Sequence, residues 1–161
     1  MSWVSSCRTW CKEVKGLSEP IEWVEKPSRS NFLLATSGLL NAQGVTIPHL
    51  KFKGEYRICR HGDILSYALM YRHAGEFRRV FMVEIYPRHQ RSHIEPNGEE
   101  FFGPHMHLGD ERLEQISKIV LDRVGNVFHK WWVDKLRRHA RIGDTAGGHL
   151  MAPMGDSLFS T

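Results

Sequence analysis

Four histidines, His89, His93, His105 and His107, fall within nineteen residues, out of ten in the 161-residue chain. Imidazole is the side chain whose ordinary pKa lies closest to neutrality, so it can exchange protons or hold a metal at physiological pH. His105 and His107 stand two apart on a predicted strand, which directs both to one face and Met106 to the other, toward the core. Such a pair suits cleavage of RNA by its own 2′-hydroxyl. One imidazole takes the hydroxyl proton, the other protonates the leaving oxygen, and cations steady the phosphate. His105 and His107 are therefore the candidate catalytic residues. Arg88, Arg91, His89 and His93 are the candidate nucleic-acid contacts. Glu84, Glu95 and Asp110 are near enough in sequence to join them. Gly103-Pro104 fixes the chain just ahead of His105 and removes one backbone donor. His49, His61, His73, His129, His139 and His149 are read as structural or solvated.

The elements that must position this group are read from periodicity. Trp3, Cys7, Trp10, Cys11 and Val14 recur at steps of three and four, which predicts an N-terminal helix ended by Gly16. Ser18 to Asn31, with Pro20 and Pro27, reads as an irregular connection with a short turn near Ile21 to Val24. Phe32 to Leu40 is a predicted strand, followed by a turn at Asn41-Ala42-Gln43-Gly44. Val45 to Phe52 is a second strand, edged by Pro48, and a third begins at Tyr56. Leu65, Tyr67, Leu69 and Tyr71 alternate over Asp63 to His73. Phe77 to Tyr86 alternates again after Ala74-Gly75-Glu76, so the two runs are predicted to pair as an antiparallel hairpin. Pro96-Asn97-Gly98 marks a turn, and Glu100 to Leu108 is the last predicted strand. Asp110 is placed as the cap of a long C-terminal helix carrying Leu113, Ile116, Val120, Val124, Val127, Phe128, Trp131 and Leu136. Gly125-Asn126 marks where that helix can divide in two. Arg137, Arg138, His139 and Arg141 cluster at its end, where positive charge suits the helix dipole.

The expected fold is α+β, an antiparallel sheet of about five strands with an N-terminal helix and the long C-terminal one packed on one face. Residues 1–142 make a single domain, and 143–161, with Gly147-Gly148 and Pro153, read as a flexible tail. An apolar fraction of 41% and a charged fraction of 25% are globular values. No apolar run approaches the length of a membrane span, and Met1 to Trp10 lacks the pattern of a signal peptide, so a cytoplasmic protein with no membrane partner is expected. Cys7, Cys11 and Cys59 cannot all pair within the chain. Cys7 and Cys11 suit core packing better than metal, since no second cysteine pair exists. The formal charge of +4 permits a nucleic-acid partner without requiring one. There is no phosphate-binding glycine loop, no Gly-x-Ser-x-Gly elbow and no His-Glu-x-x-His helix.

The stretch from Phe81 to Asp110 contains an apolar strand, Pro87-Arg88-His89, His93, Pro96-Asn97-Gly98 and Gly103-Pro104-His105-Met106-His107. It resembles a set of small uncharacterised prokaryotic and phage proteins that share a Gly-Pro-His-x-His strand after a hairpin. Those are distantly similar to toxin components of bacterial toxin–antitoxin pairs, some of which are taken to act on RNA. The resemblance spans roughly 30 residues. It implies a toxin-like ribonuclease needing neither metal nor cofactor, with RNA or a nucleic-acid-containing complex as target and a cognate antitoxin as partner, alone or as an oligomer. Two other readings stand beside it. One is a phage- or plasmid-encoded inhibitor that binds a host nucleic-acid machine or defence protein without catalysis. The other is a metal site on His89, His93, His105 and His107.

Overall fold

The computed structural model describes residues 1–113 and 128–143. Helix α1 (Trp3–Lys12) is capped by Ser2, whose hydroxyl accepts from the Ser5 amide at 3.2 Å. It buries Cys7 and Cys11, as its periodicity predicts, whereas Val14 is exposed. Gly16 does not end the helix but lies within β1 (Lys15–Leu17). The strands that follow are β2 (Val24–Lys26), β3 (Arg29–Asn41), β4 (Thr46–Arg57), β5 (Ile64–His73) and β6 (Glu76–Ile85). After these come β7 (Arg91–Ile94), β8 (Glu100–Phe102), β9 (His105–Leu108), β10 (Glu111–Arg112), α2 (Phe128–Ala140) and β11 (Ile142–Gly143).

The expected five-stranded α+β fold is overturned. Among the described residues there is a nine-stranded sheet in the order β10-β9-β6-β5-β4-β3-β1-β11, with β2 also paired to β3, and a separate two-stranded sheet of β7 and β8. The extra strands are two to four residues long, too short to show a period of two. β4 runs unbroken through Pro48. The register with β3 slips between Gly38↔Lys51 and Leu40↔Thr46, so Pro48 falls where the ladder is irregular. The predicted last strand is in fact two. β8 pairs with β7, β9 pairs with β6, and Gly103, at φ 76°, turns the chain between them. A Cβ at Gly103 would lie 3.3 Å from the Arg88 carbonyl oxygen, so glycine serves both the turn and the close approach.

The long C-terminal helix is also corrected. Asp110 caps no helix: Gly109-Asp110 is a turn into β10, and the Leu113 amide donates to the Met106 carbonyl at 2.9 Å, extending the ladder. Pairing with β9 overrides the local capping signal. The helix described is α2, 13 residues, burying Val133, Leu136 and Ala140. Ile116, Val120, Val124 and Val127 lie outside the described residues, as does the predicted tail beyond Gly143. Ile142-Gly143 itself pairs parallel with β1.

The β5–β6 hairpin forms as predicted, in antiparallel register from Leu65↔Ile85 to His73↔Glu76. Ala74 (φ 50°) and Gly75 (φ 88°) supply the two positive φ angles that a tight, twist-matched turn needs. Cross-strand partners share a face, so the register sorts the sheet into two sides. One side carries Phe52, Tyr56, Leu65, Tyr67, Leu69, Phe81, Val83, Ile85 and Met106, and α1 and α2 pack their buried residues there. The other side is polar. One row across it reads Leu34, Glu55, Ser66, Glu84, His105. The next reads Thr36, Lys53, Ala68, Met82, His107, Arg112. No helix among the described residues is long and apolar enough to cross a membrane.

Candidate functional site

The two rows place Glu84, His105 and His107 side by side on the face opposite α1 and α2. Glu84 pairs directly with His105 and lies diagonally opposite His107. One carboxylate oxygen serves both rings: Glu84 Oε2 is 3.0 Å from His105 Nε2 and 3.3 Å from His107 Nε2. The two imidazoles are nearly perpendicular, with centroids 4.6 Å apart. His105 is 1% exposed, His107 5%, and the Glu84 side chain 14%. The carboxylate edge is thus the most solvent-accessible part of the group.

Satisfaction of the ring nitrogens is incomplete. His105 Nδ1 faces the Gly103 carbonyl oxygen at 3.4 Å. A carbonyl only accepts, so Nδ1–H donates, and the neutral ring then presents a bare lone pair at Nε2. That lone pair faces a carboxylate oxygen, another acceptor. His105 Nε2 and His107 Nδ1 are both buried without a hydrogen bond of acceptable geometry. Leaving a buried polar atom so placed costs on the order of 1–3 kcal/mol. Burial pushes the His107 pKa down and favours the neutral ring, although Glu84 pulls it up. Burial alone would raise the Glu84 carboxyl, but the two imidazoles beside it, as N–H donors and cations when protonated, outweigh burial and hold the carboxyl well below its usual range.

The β7–β8 sheet is held beside the group. The His93 ring sits 6.4 Å from His105 and 6.0 Å from His107, centroid to centroid. His93 Nε2 is 3.6 Å from Glu95 Oε1, which accepts from Arg112 Nε at 2.8 Å. That hydrogen bond holds the Glu95 carboxyl below its ordinary pKa. The Arg112 guanidinium also lies over the Phe101 ring, 3.4 Å from its centroid. Arg112 on β10 thereby fastens the small sheet to the large one. The Gly103 amide donates to the Gln90 carbonyl at 3.0 Å and closes its other end.

Comparison with protein-family models, curated proteins and solved structures found no match. The site therefore stands on its geometry.

His105 and His107 share a face and an environment, as their spacing implied. Met106 points to the opposite, helix-covered face and is buried there. The pair does not line an open cleft, because both rings are buried. His93 lies beside them. His89, Arg88 and Arg91 are exposed. Arg91 is paired with Glu100 at 2.6 Å, and Asp110 with Arg78 at 3.0 Å, so neither joins the histidines. Glu84 is the central residue of the group. The sequence signal for it was a lone carboxylate among Val80, Met82 and Tyr86 on an alternating strand. Buried Ser66, its neighbour across the sheet, gave no signal, since it stands in a run of apolar residues.

Proposed function

We propose that this chain is a toxin-like ribonuclease whose reaction centre is Glu84, His105 and His107. One observation carries the reading: a half-buried carboxylate and two buried, incompletely hydrogen-bonded imidazoles converge on the polar face of the sheet. Stability alone is a weak reason for such a group. Apolar residues of similar volume would fill the same space at equal or lower free energy, whereas a buried ionic group needs every remaining lone pair satisfied. The displaced pKa values of Glu84 and His107 support the reading, since such groups cluster at functional sites. The RNA target is supported by the resemblance carried by Phe81 to Asp110 and by the formal charge of +4, which favours capture of a polyanion. The exposed Arg88 and His89 stand on the stretch leading into β7, where they would meet a phosphate backbone, and Arg91, the first residue of β7, would exchange Glu100 for phosphate. A cognate antitoxin would cover the same face.

Burial sets a condition on the chemistry. With His105 and His107 so nearly closed off, a 2′-hydroxyl does not reach both ring nitrogens directly, as the simple acid–base pair requires. The substrate approaches from the Glu84 edge and the His93 side. The test is incubation of purified full-length protein with mixed single-stranded and structured RNAs, with fragments resolved on a gel. Cleavage by wild type and its loss in His107→Ala, with an unchanged circular dichroism spectrum, is the expected result. Intact RNA under all conditions, including added divalent metal ions, refutes the proposal.

A further inference from the structure

The geometry points to a metal: we infer that Glu84, His105 and His107 ligate one divalent first-row transition ion, of the zinc type. The inference concerns the same three residues as the ribonuclease reading, but it does not depend on RNA being the substrate.

Three observations converge on it. The first is spacing. One ligand atom from each residue lies within 4.8 Å of the other two, and the Glu84 oxygen is 3.0 and 3.3 Å from the two ring nitrogens. Ligands bound at about 2.0–2.1 Å to one tetrahedral or octahedral ion stand roughly 2.9–3.4 Å from their nearest neighbours. The second is the state of the nitrogens. With Nδ1–H of His105 donating to the Gly103 carbonyl, Nε2 of the neutral ring is the lone-pair nitrogen, and it is buried beside a carboxylate without hydrogen-bond alignment. A proton shared between the two would need to lie near the N···O line. A cation satisfies both acceptors from a point off that line. A ligating imidazole whose far N–H is held by a backbone carbonyl is the usual arrangement, since that contact fixes tautomer and ring orientation. The third is ligand chemistry. Two imidazoles and one carboxylate suit zinc, manganese, iron, cobalt or nickel, and suit calcium or magnesium poorly.

Three protein ligands leave a coordination position open, and an open position is what a reacting site needs. It would lie toward the Glu84 edge, where the group meets solvent. His93 is not among the three ligating groups and stands beside them. The burial that keeps substrate from the imidazoles is then no obstacle, because the ion, not the rings, would meet the substrate.

The experiment uses untagged full-length protein, stripped with a chelator and dialysed. It is titrated calorimetrically with Zn²⁺ alone, and with Co²⁺ alone while visible absorption is recorded. The expected result is one ion per chain and a melting temperature raised by roughly 5–10 °C at about a hundredfold excess over Kd. Glu84→Gln and His107→Gln should weaken binding by more than about 100-fold, beyond the roughly 10–100-fold typical of losing a supporting partner. His93→Ala should leave the stoichiometry unchanged. If the variants do not fold, X-ray absorption on zinc-loaded wild type decides, with two imidazoles and oxygen in the coordination sphere expected. No binding of either ion, binding undiminished in a folded Glu84→Gln, or a sulfur ligand near 2.3 Å would overturn the inference. RNA cleavage that persists in metal-free protein with chelator also overturns it and leaves the ribonuclease standing. Metal uptake with no RNA cleavage does the reverse.

Discussion

Lys15 offers a test of the fold that is independent of the site. Its side chain is buried, with 2% exposure, between α1 and the end of α2. Nζ donates to the Glu13 carbonyl at 2.6 Å and to the Ala140 carbonyl at 2.5 Å. Burial pulls its pKa from 10.5 down to about 8, against the opposing pull of Cys11 and Glu13, with Arg141 adding to the depression. The unfolded chain therefore binds more protons than the folded one between about pH 8 and 10.5, and stability rises with pH across that window. The gap of about 2.5 pH units corresponds to about 3 kcal/mol in total, of which about 1 kcal/mol is gained between pH 8 and 9. Lys15→Met keeps most of the buried stem and removes the titration. Burial raises the thiols of Cys7 and Cys11 to about 12 and about 11, so above pH 9 they work in the opposite direction. Cys7 is common to both proteins, whereas Cys11 is coupled to Lys15, so the difference between wild type and variant reports Lys15 most cleanly between pH 8 and 9, before the thiols titrate. Urea unfolding from pH 7 to 9.5 should show wild type gaining on the variant by about 1 kcal/mol per pH unit above pH 8. A difference that stays constant, or moves the other way, would refute the burial of a charged Lys15.

Three further outcomes are expected. Leu136→Ala should lower stability by roughly 2–5 kcal/mol in chemical denaturation, because Leu136 is wholly buried in α2 against the sheet. Gly103→Ala, at φ 76° and close to the Arg88 backbone, should cost about 1–2 kcal/mol, and a variant of unchanged stability would show that the turn is not under this constraint. Arg112→Ala removes both the Glu95 ion pair and the Phe101 contact, so amide exchange in residues 91–102 should quicken while β5 and β6 keep their protection.

Much of the scaffold was legible where strands are long. The ten-residue runs of β5 and β6 show their alternation plainly, and Ala74-Gly75 announces the turn between them. The shared face of His105 and His107 followed from spacing alone. What the residues did not disclose is which neighbours arrive from elsewhere. β1, β2, β10 and β11 are two or three residues long and exist because a partner strand satisfies their backbone groups, not because of any local pattern. Asp110 carried a helix-cap signal that pairing of Glu111 and Arg112 with β9 overrode. Glu84 could be selected from the nearby acids only once the β6–β9 register set it opposite His105. The burial of the pair was hidden for the same kind of reason. Spacing assigns a common face, but whether that face is open depends on packing contributed by other parts of the chain.

The claim that Glu84, His105 and His107 form one reaction centre is tested most directly by a double-mutant cycle on single-turnover RNA cleavage. Groups that act as a unit lose their contribution together, so the second substitution costs little once the first is made. The account predicts that Glu84→Gln and His107→Gln each slow cleavage by at least about 100-fold and that the double variant is slowed no more than about threefold further. Losses that multiply, leaving the double variant about 10⁴-fold slower than wild type, would contradict a single centre.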